Sequence, residues 1–340
     1  MRAYLGAAER ANAEEDTTRA RQYYLNAWDL AQSLPLRDLR RIEAMEGLFS
    51  TAESDAEADD FAHLILTELE HPQGAERERV ARIKEQLSYR ESNPDRRVQL
   101  LQDAVALKTE APDGSPSAES SASLHYTQLS LAKALDANRD LAGAQAVLQQ
   151  RIDSLAPAEA ADRSYRALEI RTRRVLAQAD FAWFLLAHGR AGEALAVGEQ
   201  ARQALPPKTT LSWVYPAKAV WEVLVWAQLL APPTASLATY WQSYESAQRD
   251  AFTGGRKLLY HEVDRALVAQ ALADAAMMAQ ANSGVDEARA VFSERSRGTV
   301  GAISALCKPV STSEGFSNWR MPQSDARRQM LTKLGACASL

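Results

Sequence analysis

The sequence predicts an all-α fold, a solenoid of about seven helical hairpins closed by a C-terminal helix. Alanine and leucine are abundant and runs of β-branched residues are scarce, which favours helix along the whole chain. Apolar side chains recur at steps of three and four residues, and glycine or proline interrupts these segments repeatedly. Because one two-helix unit cannot bury both of its faces, each hairpin must stack on its neighbours.

The hairpin at residues 178–207 shows this pattern most clearly. Apolar side chains recur along its first helix at Phe181, Phe184, Leu185 and His188. Gly189 can adopt the left-handed conformation that ends a helix, so we place the turn there. Pro206 and Pro207 stop the second helix, because proline lacks the N–H that a helix interior needs.

The other hairpins are predicted from the same signals, glycine and proline at the ends of apolar helical segments. Their paired helices are predicted at 2–15 and 17–33, 36–52 and 55–70, 75–91 and 95–109, 118–137 and 140–155, 216–231 and 234–251, and 257–282 and 285–305. Ser54 with Glu57 fits a capped helix start in the second hairpin. Ser283 with Asp286 predicts the same for the second helix of the seventh hairpin.

The segments outside the hairpins are a loop, a long helix and a terminal cap. Residues 110–117 are rich in proline, glycine and serine and are predicted as a loop. A long helix beginning at Asp162 leads into the fifth hairpin. A last amphipathic helix at 323–336 is predicted to cap the stack. The chain therefore divides into a repeat region, 1–306, and a loop with its capping helix, 307–340.

Composition and charge exclude several classes of protein. Apolar residues make up 46% and charged residues 24% of the chain, as in a folded soluble protein. A formal net charge of -5 argues against a nucleic-acid partner, which needs a basic surface. The most apolar run, 219–231, is too short to span a bilayer and contains Glu222. Since the first residues lack the apolar core of a secretory signal, we expect a cytoplasmic protein without a membrane span.

Cys307 and Cys337 are the two cysteines of the sequence. Two cysteines are too few for a disulfide framework. They are either free thiols, as expected in a reducing cytoplasm, or a bridge that ties the C-terminal tail to the last repeat.

Two of the hairpins resemble the tetratricopeptide repeat family. At 178–207 the resemblance is carried by Ala182, Leu185, Ala194, Ala201 and Pro206. The hairpin at 124–155 is similar to the kinesin-light-chain variety through Leu131, Ala132, Leu135, the turn at 138–141, Ala144 and Leu148. Ser130 stands where that variety usually has asparagine. The resemblance implies a right-handed superhelix whose concave groove, lined by the first helix of each hairpin, binds a protein or peptide.

A second resemblance covers residues 286–306. This stretch is similar to the last repeat before the protease domain in bacterial proteins that join such repeats to a caspase-like CHAT domain. The residues that carry it are Ala288, Phe292, Glu294, Arg295, Ser296 and Arg297. No His/Cys constellation follows in the sequence, so the resemblance implies the sensor half of such a signalling system without its protease.

The candidate binding residues lie on the first helices that the repeat resemblance places in the groove. They are Arg79, Arg82, Gln86 and Tyr89 in the third hairpin, Tyr126 and Lys133 in the fourth, and Trp183 in the fifth. Arginine beside tyrosine suits an acidic partner or a free carboxylate, since the guanidinium is a planar bidentate donor. An ordinary solvated helix face would show similar residues.

The sixth hairpin is aromatic and carries little charge. Its aromatic residues include Trp213, Trp221, Trp226, Tyr240, Trp241 and Tyr244. Such a cluster fits a packing core. It also fits a site for a small molecule or peptide, in which Trp226 is the candidate contact, or a homodimer interface.

Catalytic and metal-binding motifs are absent from the sequence. His261 and Glu262 open a zinc-protease pattern, but Arg265 stands where the second histidine is required. We therefore expect no enzyme activity, no cofactor and no metal. The leading hypothesis is an adaptor or scaffold that binds a protein or peptide in the groove. The alternative is a regulatory domain that senses a ligand at the sixth hairpin.

Overall fold

The computed structural model describes residues 1–109, 118–155, 165–208, 213–232, 234–251, 255–295, 307 and 316–334. Within these residues the chain forms fifteen α-helices and no strands. The all-α prediction is therefore confirmed for this part of the chain. The loop predicted at 110–117 and the helix start predicted at Asp162 lie outside the described residues.

The helices are numbered here in chain order. They are α1 Arg2–Ala13, α2 Thr17–Ala31, α3 Leu39–Ser50, α4 Asp55–Glu68, α5 Ala75–Arg90, α6 Pro94–Thr109, α7 Ala118–Ala137, α8 Leu141–Asp153, α9 Tyr165–Ala187, α10 Ala191–Gln203, α11 Val214–Leu229, α12 Ser236–Ala251, α13 Gly255–Leu272, α14 Ala275–Arg295 and α15 Met321–Lys333. The first six predicted hairpins correspond to the successive pairs from α1/α2 to α11/α12. The terminal helix begins at Met321, two positions before the predicted start.

Four hairpins turn through the same backbone motif. A residue one or two positions after the first helix has a positive φ, at Glu15 (60°), Arg139 (65°), Gly189 (72°) and Ala273 (54°). In each case the next amide donates to the carbonyl five residues earlier, at 2.9 Å, as from Arg190 N to Leu185 O. This geometry satisfies carbonyls that a helix end leaves without partners. The recurrence of one turn indicates a repeat-like architecture.

The predicted division of the seventh hairpin was wrong. The turn lies at Ala273 and Asp274, and α14 continues through Ser283 without a break. Asp274 begins this helix by accepting a hydrogen bond from the Met277 amide at 2.9 Å. Gly284 lies inside α14, and a Cβ there would lie 2.5 Å from the side chain of Glu262 on α13. The glycine permits a close helix crossing and does not mark a helix end.

The first of two compact units comprises Met1–Leu141. One apolar core joins α1, α2 and α3 around Tyr24 and Leu48. A second joins α3, α4 and α5 around Phe49 and Ile65. Because α3 contributes to both cores, the first two hairpins share buried surface in the way that stacked repeats require. The predicted helix start at Ser54 is confirmed, since its side chain accepts from Glu57 N at 3.2 Å.

The second unit, Ala142–Leu340, contains overlapping cores of the same kind. One core lies between α9, α10 and α11 around Val175 and Leu224. The next lies between α11, α12 and α13 around Trp241. A third joins α13 and α14 to Met330 and Leu331 of α15. The terminal helix is thus part of the buried structure of this unit.

Two further findings bear on the sequence predictions. Among the described residues, no helix is both long enough and apolar enough to cross a membrane.

Cys307 is disulfide-bonded. Of the two interpretations of the cysteines, a free thiol at Cys307 is therefore wrong. Cys337 lies outside the described residues.

Candidate functional site

The polar face predicted on α5 is present and largely exposed. Arg82, Gln86 and Tyr89 are exposed, whereas Arg79 is half-buried. The carboxylate of Glu46 on α3 contacts both arginines. Its Oε2 lies 2.5 Å from Arg79 Nη1, and its Oε1 lies 2.9 Å from Arg82 Nη2. One glutamate therefore holds two guanidinium groups side by side.

A second glutamate of α3 lies beside this pair. Glu43 Oε1 is 3.8 Å from Arg79 Nη2. Partial burial raises the pKa of Glu43, and the nearby Arg79 only partly opposes this. Glu43 and Glu46 were not among the predicted site residues. Their spacing of three on the first helix of the second hairpin was the available signal, because residues so spaced share a helix face.

The exposed face continues from α5 to α7. The Tyr89 hydroxyl lies 3.0 Å from Ser130 Oγ. Ser130 on α7 thus contacts α5, the first helix of the neighbouring hairpin. Tyr126 is 69% exposed and Tyr89 is 56% exposed, which is high for aromatic side chains. Lys133 is half-buried on the same helix.

Trp183 and Trp226, the candidates in the second unit, are buried instead. They are 3% and 1% exposed, respectively. The guanidinium of Arg320 lies 4.6 Å from the ring centroid of Trp183, and that of Arg327 lies 5.5 Å from the ring centroid of Trp226. Residues at and before the terminal helix therefore cover both tryptophans. Both tryptophans lie on the first helix of their hairpin, as predicted, but their coverage by Arg320 and Arg327 was not predicted.

The terminal segment follows a defined path over the first helices of three hairpins. Trp319 packs edge-on against Phe184 of α9, with ring centroids 5.5 Å apart. Gln323 Nε2 donates to Glu222 Oε1 of α11 at 3.0 Å. Arg327 Nε donates to Asp264 Oδ1 of α13 at 2.6 Å. The segment thus meets α9, α11 and α13 in chain order.

Two buried carboxylates form the floor beneath this segment, which we call the acidic cleft and define by Glu222 and Asp264. Both side chains are almost fully buried. Arg320 Nη1 lies 3.1 Å from Glu222 Oε2, and Arg327 Nη2 lies 3.7 Å from Glu222 Oε1. Arg327 also lies 4.8 Å from the ring centroid of Tyr260. Arginine is thus held by both carboxylate and aromatic groups.

The pKa values of the two carboxyls of the acidic cleft shift in opposite directions. At Asp264 burial outweighs the attraction of Arg327 and raises the pKa. Burial alone raises the pKa of Glu222, but Arg320, Arg327 and the donor from Gln323 lower it below the usual value. Burial lowers the pKa of Arg327, but Asp264 and Glu222 raise it by more. An acid in an otherwise apolar stretch was the one sequence signal of this site, because a buried charge requires a partner. The sequence did not show that the partners lie about one hundred residues further on.

Four aromatic residues of the sixth hairpin pack in the interior of the second unit, whereas Trp213 is half-buried and Tyr215 is exposed. Trp241 and Tyr244 are each 1% exposed, and the ring of His261 on α13 stacks on Trp241 at a centroid distance of 5.2 Å. Trp221 and Tyr240 are half-buried and pack on each other. Side chains buried within the chain are not available to a dimer interface, so these contacts favour the core interpretation.

Arg265 and Glu262, which belong to the incomplete zinc-protease pattern, take part in ion pairs. Arg265 Nη2 lies 2.8 Å from Glu245 Oε1, and its Nη1 contacts Glu262. Over the described part of the chain, no three His, Cys, Asp or Glu side chains are grouped so that they could hold a metal ion. Residues 252–254, which precede α13, and residues 296–306 lie outside the described part.

Comparison with known proteins adds no family assignment. No protein-family model matches the chain. A search of curated proteins found no significant match.

Proposed function

We propose that the chain is a peptide-binding adaptor of the tetratricopeptide-repeat type, whose binding surface lies on the first helices of the hairpins. The observation that carries this proposal is the exposed face of α5 and α7 in the first unit. It combines Arg82, Gln86, Tyr89 and Tyr126 on two adjoining helices. We call these four residues the α5/α7 face.

The arrangement of Arg82 favours a ligand that brings a carboxylate or a backbone carbonyl. Its Nη2 is engaged by Glu46, whereas a guanidinium offers five N–H donors in a fixed plane. Donors therefore remain for a second acceptor. Because Glu46 already holds the side chain in place, less conformational entropy is lost when a partner binds.

Tyr89 and Tyr126 supply the apolar part of the surface. Large exposed aromatic side chains are enriched where proteins bind one another, because they bury much area with few rotatable bonds. The tyrosine hydroxyls can also bind a peptide backbone. The expected ligand is therefore an extended or helical segment with an acidic side chain or a free C-terminal carboxylate.

A peptide-library screen on the full chain tests this proposal. Peptides with free C-terminal carboxylates, the same peptides with amidated ends, and acidic internal peptides would be compared by enrichment and then by fluorescence polarisation. Arg82→Ala should weaken the selected peptides at least about tenfold, since a charge-assisted hydrogen bond is worth about 1.5–3 kcal/mol. Tyr126→Ala should weaken them as well.

Arg96→Ala is the matched control. Arg96 lies on α6, and its side chain is 76% exposed. It should leave the selected affinities unchanged. The proposal is wrong if no peptide is enriched, or if Arg82→Ala and Arg96→Ala bind the selected peptides equally well.

The second hypothesis, a regulatory domain with a ligand at the sixth hairpin, finds less support. Trp241 and Tyr244 are closed within the core. Trp226 differs from them, since it lies beside the acidic cleft and is covered by α15. A sensing function of this unit would therefore require movement of α15. The relation to CHAT systems and the cytoplasmic location stay predictions.

A further inference from the structure

The terminal segment contacts the rest of the second unit through charged and polar side chains as well as through apolar ones. From Arg320, the side chains that face α9 and α11 are Arg320, Gln323 and Arg327, at steps of three and four. Apolar burial lies on either side of these three residues, at Trp319 against Phe184 and at Met330 and Leu331. A helix that served only to close a core would be expected to present a continuous apolar stripe.

Charge pairing of this kind confers specificity more than it confers stability. The loss of water around Glu222, Asp264 and Arg327 opposes the attraction between them, so a buried ion pair often adds little net stability. The two buried carboxylates do, however, require a segment that carries arginine. If α15 leaves, the acidic cleft is best filled by another segment that supplies the same guanidinium groups.

The cleft is also shaped for a guanidinium group in particular. Arg327 meets Asp264 through two parallel hydrogen bonds, from Nε at 2.6 Å and from Nη2 at 2.5 Å. Trp183 and Tyr260 each lie under a guanidinium plane, with centroid distances of 4.6 and 4.8 Å. Lysine cannot reproduce the bidentate pair and would pack less well on the rings.

We infer that the acidic cleft, with Trp183, Trp226 and Tyr260, is a binding site for a basic helical segment of a partner protein, and that α15 occupies it as a displaceable internal ligand. The recognised pattern is the one that α15 carries: an arginine, a glutamine three residues on, and a second arginine four residues after that. The site consists of different residues from the α5/α7 face, so this inference stands apart from the function proposed above.

The tether between α14 and α15 determines how strongly α15 competes. Residues 296–320 join the two helices, so α15 stays attached when it leaves the cleft. An attached segment competes with a free partner for the same site, so a partner binds more weakly than it would bind to an open cleft.

The test uses a fluorescent peptide with the sequence of residues 316–334 and the full chain. Arg320→Ala combined with Arg327→Ala weakens α15 in its own chain and leaves the cleft residues intact. The peptide should bind this double variant at least about tenfold more tightly than it binds the wild type, because its internal competitor is weakened. A peptide in which the same two arginines are alanine should not bind.

A third protein variant checks the cleft itself. Adding Asp264→Asn to the double variant removes the bidentate acceptor, and peptide binding should fall at least about tenfold. Equal peptide affinity for the wild type and the double variant would overturn the inference. So would binding that does not depend on the peptide arginines. If wild-type chains instead exchange α15 between two copies, seen as a dimer by light scattering, the occupant is a second copy and the partner assignment fails.

If circular dichroism shows that the double variant does not fold, hydrogen exchange of the wild type tests whether α15 can leave the cleft. A displaceable α15 opens without the rest of the unit, so its amides should exchange at least about tenfold faster than those of α13. Equal protection of α13 and α15 would mean that α15 is released only by global unfolding, and the inference would be wrong.

Discussion

Arg327 and Asp264 form a bidentate ion pair that joins α15 to α13 inside the second unit. The two residues are separated by 63 positions in the sequence. Removal of one member of a buried pair commonly costs about 3–5 kcal/mol, because an uncompensated charge stays buried. The cost is smaller if the helix that carries the arginine can move away and admit water to the remaining carboxylate.

The stability of Arg327→Ala should distinguish these cases. We expect a loss of about 2 kcal/mol in the free energy of unfolding, since α15 can leave and Asp264 can be hydrated. Arg328→Ala is the control, because Arg328 pairs with Asp325 on the same helix and is one-third exposed. Its effect should stay within about 0.5 kcal/mol. Urea unfolding measures the stability of both variants. A loss of about 4 kcal/mol or more in Arg327→Ala, as is typical of a broken buried pair, would indicate that α15 does not detach.

The attachment of α15 should depend on pH through Glu222. The pKa of this group is lower in the folded protein than its usual 4.5, because its arginine partners outweigh its burial. A lowered pKa contributes stability that is fully present above the unfolded-state pKa and is lost as the pH falls through the folded value. Through Glu222, stability should therefore decline below about pH 4.5. The raised pKa of Asp264 opposes this decline, because the folded protein takes up that proton more readily than the unfolded chain.

Glu222→Gln isolates this contribution. The variant should be less stable than the wild type at neutral pH, and the difference should shrink as the pH is lowered, because the wild-type carboxylate becomes neutral too. Urea unfolding at a series of pH values gives the comparison. A stability difference that is constant from neutral pH into the acid range would show that the Glu222 carboxylate does not have the lowered pKa.

Ala273→Gly should stabilise the protein. Ala273 has a φ of 54° in the turn between α13 and α14, a region that costs an L-residue about 1–2 kcal/mol. Glycine removes this strain but gains freedom in the unfolded chain, so the net gain should be about 0.5–1 kcal/mol. Thermal unfolding measures it. Ala279→Gly, at an exposed position inside α14, should instead destabilise by about 0.5–1 kcal/mol.

The oxidation state of Cys307 can be tested directly. Because Cys337 is the other cysteine of the sequence, an unreduced monomer should take up no alkylating reagent when denatured, and two groups after reduction. Mass spectrometry reads the difference. Disulfides persist mainly in oxidising compartments, so this result would argue against the predicted cytoplasmic location. Alkylation of both cysteines without reductant, in protein isolated under thiol block, would support that location instead.

Glycine and proline in the sequence predicted many of the helix ends. The helix boundaries that differ from this prediction have physical causes. Gly189 adopts the predicted left-handed turn. Ala273 adopts nearly the same conformation, which no propensity rule assigns to alanine. The helix start predicted at Ser283 does not form, and Gly284 lies inside the helix, where it makes room for Glu262. Hydrogen bonding at a turn and crowding between helices are tertiary effects that a single sequence does not display.

The binding surfaces were predicted unevenly for a similar reason. Arg82 and Tyr89 lie on one exposed face as their spacing implied. Arg320 and Arg327 were not among the predicted site residues, because their carboxylate partners belong to helices distant in the sequence. A stripe of arginine carries the same pattern whether it faces water or a buried acid. Only the packing of α15 distinguishes the two.

The packing of α15 also matters to anyone who shortens the chain. A protein that ended before residue 316 would lack the helix that covers Trp183, Trp226 and the surrounding apolar side chains. A newly exposed apolar patch promotes self-association and poor solubility. Such a fragment would be expected to precipitate or to copurify with chaperones, and its behaviour would reflect that exposed patch rather than the native binding properties of the protein.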